Sequence, residues 1–352
     1  MNTLTVWIRH HQLAAFFLIT FGITWGLGFS YEAVIVQGNE LLAPLVSLAT
    51  CGPALAGIII SRLCNRVPTS GSTIVPWPAF IIALIVSTLV FVANNVIINH
   101  APLSPIMVIF VAIVAVPVAY IISAVFSRVS AVHRYLASLL NVHPVWGWLL
   151  LSLLVTAGLG SLSIAVSNLA GRQSVHLSDL RFQGFDLLKM IVITFLYQIF
   201  FFNATGEEVG WRGFALPRLQ AQTNPLIASL VLTFFWMTWH AFYFHATGEP
   251  VLIAEFWLSN FVRLFPATVM INWFYNRSKG SILAAGVTHA AANTVFAYMP
   301  RVDVLVHTVL IYAFSLAVIL LDQMWKKLPS DHPAVIQTPE LRDEQLFPRP
   351  IS

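Results

Sequence analysis

Two adjacent carboxylates, Glu207 and Glu208, lie in an otherwise apolar stretch, with Arg212 following and His240, His289 and Asn293 in later apolar stretches. Neighbouring carboxylates repel each other and resist leaving water, so at least one of them needs a cation or a proton. Arg212 comes four residues after Glu208 and shares its face on a helix. That spacing assigns Glu208 and Arg212 as a structural ion pair. Glu207 then points away from the pair, about 100° round the helix, free to face a polar cavity. A carboxylate in that position can take a proton from water as a general base. A neutral His240 can hold that water or deliver a proton. His289 and Asn293, one helical turn apart, offer two donors to a developing oxyanion. Glu207, His240 and His289 also suit a divalent metal such as zinc, and buried Glu and His equally build the proton relays of transporters. Each residue has a plainer reading too: an intramembrane His or Asn as an interhelical hydrogen-bonder, a Glu–Arg pair as a bridge.

These groups need elements to hold them, and the composition says which. Of 352 residues, 58% are hydrophobic and only 9% charged, against roughly a quarter charged in soluble domains. A bilayer is the solvent that tolerates such a surface. Applying the rule of about 20 apolar residues per span predicts segments at 12–29, 42–61, 77–98, 105–127, 145–168, 187–216, 225–244, 251–275, 281–299 and 304–324. The expected fold is an all-α polytopic transmembrane bundle of about 8–10 helices with an intramembrane polar cavity. At about 1.5 Å per residue, Glu207, His240 and His289 fall roughly 16, 24 and 14 Å from the ends of their segments, on three different helices. The Ala- and Gly-rich 281–299 segment is suited to close packing.

Charge placement orients the bundle. One side gathers Arg9, Arg62, Arg66, Arg128, Arg134, Arg218, Arg277, Lys279, Lys326 and Lys327; the other holds Arg172, Arg181, Lys189 and Arg301. The positive-inside rule makes the richer side cytoplasmic, with both ends of the chain there, as fits a bacterial inner membrane. The net charge of +4 comes with no Lys/Arg-rich patch, which excludes nucleic acid as a partner. Cys51 and Cys64 form no metal-type pair, and nothing in their spacing argues for a disulfide. Arg263, within a long span, has Glu255 or a substrate carboxylate as candidate partners. Residues 1–327 read as one membrane domain, and 328–352, rich in Pro and charge, as a disordered cytoplasmic tail.

The motifs have a family resemblance. Glu207-Glu208-Val209-Gly210-Trp211-Arg212 fits E-E-x-x-x-R, His289-Ala290-Ala291-Ala292-Asn293 fits H-x-x-x-N, and Trp236-Met237-Thr238-Trp239-His240 lies between them. The chain resembles the CAAX-protease and bacteriocin-processing (Abi) family of intramembrane endopeptidases over residues 187–299. One departure is Trp236, where the family usually has Phe in F-x-x-x-H; an aromatic-for-aromatic change mainly alters packing. The resemblance implies peptide-bond hydrolysis in membrane-associated proteins or peptides. Glu207 would activate water, His240 would help hold it, His289 and Asn293 would form the oxyanion hole, and Glu208 and Arg212 would support them. No cofactor is expected on this scheme; if a metal is bound, Glu207, His240 and His289 would ligate it. A non-catalytic membrane protein, a proton-coupled transporter or a bacteriocin immunity protein, is the alternative.

Overall fold

In lipid a backbone N–H or C=O can be satisfied only within its own segment or a closed barrel, so long apolar runs become helices. The computed structural model of the chain describes residues 3–64, 75–172, 184–298 and 303–336, and among these there is no strand. The helices in chain order are α1 (Thr3–His10), α2 (Gln12–Gly26), α3 (Gly28–Ile35), α4 (Ala43–Thr50), α5 (Gly52–Cys64), α6 (Trp77–Ala93), α7 (Pro105–Val114), α8 (Val116–Ala124) and α9 (Ser130–Leu136). They continue with α10 (Trp146–Leu169), α11 (Gly184–Tyr197), α12 (Leu216–Gln222), α13 (Pro225–Trp239), α14 (Ala241–Ala246), α15 (Ala254–Arg277), α16 (Ile282–Tyr298) and α17 (Val304–Leu321). Five helical runs among the described residues are long and apolar enough to span a membrane, or seven if two bent pairs each count as one span. The chain is an integral membrane protein with an all-α polytopic bundle.

Two of the expected single spans are broken. α4 and α5 meet at 59°, and α7 and α8 at 47°. Pro53 and Pro117 stand just after the breaks. A proline has no N–H to give the carbonyl four residues back, and its ring crowds that carbonyl. α2 and α16 are apolar but short, at 15 and 17 residues.

The longest run is the 39 residues Gly184–Gln222, almost twice what a span requires. Its middle is not α-helical: Gln198–Glu208 and Trp211–Ala215 wind as wider π turns. Thr205 Oγ1 donates to the carbonyl of Phe200, five residues back, a reach that matches the wider turn. π turns inside α-helices are frequent at functional sites, and this one carries both carboxylates.

Small residues let neighbours close on this segment. A Cβ at Gly210 would lie 2.4 Å from both the backbone carbon and the Cβ of Pro53 on α5. A Cβ at Gly286 of α16 would lie 2.4 Å from the Ala204 Cβ. Without a hydrophobic drive between helices in lipid, such close approach is what binds them. Gly210→Ala is therefore expected to cost about 1–3 kcal/mol, the usual range for overpacking, read as a lower thermal midpoint in detergent. An unchanged midpoint would show that the α5 contact has slack.

The basic residues gather at one end. There Arg9 donates to the Leu63 carbonyl at 2.9 Å, Arg218 to Gln12 Oε1 at 2.9 Å and Arg277 Nε to Asp322 at 2.6 Å. At the other end Arg172 pairs with Asp303 at 2.7 Å. Arg66, Arg181 and Arg301 lie outside the described residues.

The expectation of a tail disordered from Leu328 is corrected over its first nine residues. Ala334 and Val335 are buried. Gln220 Nε2 donates to the Ala334 carbonyl at 2.9 Å, and the Ile336 N–H to the Pro217 carbonyl at 3.4 Å. Gly280 makes room for this strap: its φ is +81°, and a Cβ there would sit 2.8 Å from the Pro333 carbonyl oxygen. Prolines prevent a helix here, but they do not prevent small apolar residues from sinking between α12 and α15. The remainder, from residue 337, lies outside the described residues.

Candidate active site

Three elements bring the motif residues together: the π-wound segment, α13 with its C-terminal His240, and α16. Glu208 and Arg212 are fully buried, and Arg212 Nη1 donates to Glu208 Oε1 at 2.8 Å. Burying that pair is tolerable because it is bonded on further sides. His289 Nδ1 lies 2.8 Å from the same Glu208 oxygen. Arg212 Nε donates to Asn272 Oδ1 at 3.0 Å, and Asn272 Nδ2 in turn to Ser229 Oγ at 2.9 Å. The guanidinium carbon also lies 4.9 Å from the centre of the Trp236 ring, within cation–π range.

Glu207 faces elsewhere. Its Oε2 accepts from Trp236 Nε1 at 2.6 Å and lies 4.0 Å from His240 Nε2. His240 Nδ1 is 2.8 Å from the Trp236 carbonyl oxygen. A carbonyl can only accept, so Nδ1 carries the hydrogen, and in the neutral ring Nε2 presents its lone pair towards Glu207. At 4.0 Å the two groups are too far apart for a direct hydrogen bond, and a separation of that order asks for a water between them. The Glu207 and His289 side chains are 9% and 8% exposed, and that of His240 24%; the His240 side is thus the open one.

The structure divides the expected cluster in two. Glu207 and His240 form one half, and Glu208, Arg212 and His289 the other, with the Trp236 ring between them, 5.2 Å from the His289 ring. Asn293 Nδ2 is 3.4 Å from Asn203 Oδ1, and the buried Asn203 Nδ2 has no hydrogen-bond partner. Among the described residues no three His, Cys, Asp or Glu side chains meet in a metal-binding arrangement, since His289 turns its Nδ1 to Glu208 rather than joining Glu207. Arg263 donates to Asn260 at 2.7 Å.

Three residues of the site were not singled out by their types. Asn203 precedes Glu207 by four residues, and Asn272 is one of three Asn in the long helix α15; the cost of a bare amide in lipid is a usable signal for both. Trp236 reads from the sequence as a packing substitution. Its indole N–H instead makes the shortest contact to Glu207.

Residues 189–295 match the family model described as Type II CAAX prenyl endopeptidase Rce1-like. This match and the motifs make the segment similar to the CAAX-protease and bacteriocin-processing family. It contains Glu207, Glu208, Arg212, His240, His289 and Asn293, so each of these side chains comes from the matched segment. A curated relative, CAAX prenyl protease 2 of the archaeon Methanococcus maripaludis, is 30% identical over 95 residues. That alignment covers 26% of this chain and 35% of the relative, so the chain matches about a third of that protein's length. The helices before α11 lie outside residues 189–295.

Proposed function

We propose that the chain is an intramembrane endopeptidase of the CAAX-protease type, acting on membrane-associated proteins or peptides. The observation that carries this reading is the 4.0 Å gap between Glu207 Oε2 and His240 Nε2, set inside a bundle where lone ionisable groups are costly. A water in that gap donates to the His240 lone pair and to the Glu207 carboxylate. Glu207 takes its proton as the new C–O bond forms at the scissile carbonyl. The Asn293 amide donates to the resulting oxyanion. Glu207 then returns the proton to the nitrogen as the C–N bond breaks. His289 bonds Glu208 through Nδ1, so its Nε2 donates to an oxyanion only as the imidazolium, with Glu208 as counter-ion. Glu208, Arg212 and Asn272 hold His289 in place.

A metal-centred version needs Glu207, His240 and His289 around one ion. Against it, the described residues hold no such group of three, and His289 Nδ1 and Glu207 Oε2 are already engaged by Glu208 and Trp236. Active, purified protein is expected to contain divalent metal well below one ion per chain by elemental analysis; stoichiometric zinc that tracks activity would reverse this.

The prenylated C-terminal motif implied by the relative's name is one substrate candidate. Orientation follows from the basic end of the bundle: we place it, with both chain ends, on the cytoplasmic face of a bacterial inner membrane. The decisive experiment presents the reconstituted protein with a library of membrane-anchored peptides and reads new termini by mass spectrometry. Cleavage is expected. Proton or solute flux without any cleavage would favour a transporter instead.

A further inference from the structure

One residue touches both halves of the site. The Trp236 side chain is buried, with 3% of the residue exposed. Its indole N–H donates to Glu207 Oε2 at 2.6 Å, and its backbone carbonyl accepts from His240 Nδ1 at 2.8 Å. The Arg212 guanidinium lies 4.9 Å from its ring centre and the His289 ring 5.2 Å away, nearly perpendicular. A ring framed on face and edge cannot turn without losing these neighbours, so the direction of its N–H is fixed. The N–H is a donor only, and the oxygen it meets must accept. That oxygen, Oε2, is also the one 4.0 Å from His240 Nε2, so the indole fixes one wall of the gap.

We propose that Trp236 is a positioning residue: its indole holds the Glu207 carboxylate while its carbonyl sets the His240 tautomer, fixing the gap in which water is activated. The proposal rests on the peptidase reading above. It predicts that the N–H matters, beyond the volume of the ring. Displacing a reacting group by about 1 Å can cost on the order of 10²-fold in rate.

Two substitutions separate shape from hydrogen bonding. Trp236→Phe removes the N–H and some volume. Replacing Trp236 by 3-benzothienylalanine, which has sulfur where indole has N–H, keeps the volume. Both variants are expected to lower kcat by about 10–100-fold, with KM within about twofold of wild type. The benzothienyl protein should melt at the wild-type temperature. Wild-type kcat in the benzothienyl protein would overturn the proposal, since only the N–H has been lost. A KM rise with kcat unchanged would also overturn it.

A second measurement needs no turnover. In 15N-labelled protein, the indole resonance that disappears in Trp236→Phe should move on Glu207→Ala. If it stays in place, the contact to Glu207 is absent and the proposal fails. If it moves but wild type cleaves nothing, the peptidase reading has failed while the contact stands.

Discussion

Replacing Glu207 by Gln is expected to reduce turnover of a cleavable membrane peptide by about 10²–10⁴-fold, the range that a positioned general base contributes. The amide is the right probe because it changes little else. It keeps the length of the side chain, and its carbonyl oxygen can still accept from the Trp236 indole, which now donates at 2.6 Å. The only group lost is the one that takes a proton from water. KM should therefore change little and kcat should carry the loss, as for an interaction made in the transition state alone. The thermal midpoint should stay near that of wild type. Kinetics on one defined peptide, with a melting curve beside it, make the check. Turnover within a few-fold of wild type would remove Glu207 from the chemistry, however well placed it is.

The largest effect on stability is expected at Arg212. Arg212→Met leaves the Glu208 carboxylate, 0% exposed, without the guanidinium that lies 2.8 Å from it. Breaking a buried pair on one side costs about 3–5 kcal/mol, comparable to much of a domain's net stability. The same change orphans Asn272 Oδ1, which accepts from Arg212 Nε. The expected outcome is a sharp fall in folded protein recovered from membranes and a lower melting temperature for what remains. Adding Glu208→Gln should restore part of the loss, because the uncompensated charge is gone. If Arg212→Met is as stable as wild type, the pair contributes nothing to holding the bundle. If the double variant is worse than the single one, the cost lies in lost bonds rather than stranded charge.

The positions of the helices could be read from hydropathy because lipid leaves the backbone no alternative. All ten expected segments contain helix, from Gln12–Gly26 to Val304–Leu321. Breaks within them were harder to see. Pro53 and Pro117 were visible, but prolines are tolerated in membrane helices where neighbours satisfy the freed carbonyls, so the residue alone does not tell a kink from a straight run. The π winding at Gln198–Glu208 left no periodic signal, since almost all its neighbours are apolar as well. The motif residues could be recognised by type and spacing. The partner of His289 could not: Glu207 and Glu208 differ by one position, and only the packing of α16 against the wide turn sets which of them it meets. Trp236 shows a further limit. Its aromatic character pointed to packing, whereas its nitrogen makes the contact that matters at this site.

The strap of residues 328–336 bears on how the molecule is assembled. Gln220 and Ala334 are separated by 114 positions along the chain, and α13 to α17 are threaded between them. During synthesis the C-terminal end of α12 must wait, with the Gln220 amide unsatisfied by the strap, until the five further helices α13 to α17 have been made. Contacts with such long separations form late. A nascent chain stopped before Pro333 would hold every motif residue yet lack the clasp that ties α12 to the segment after α17.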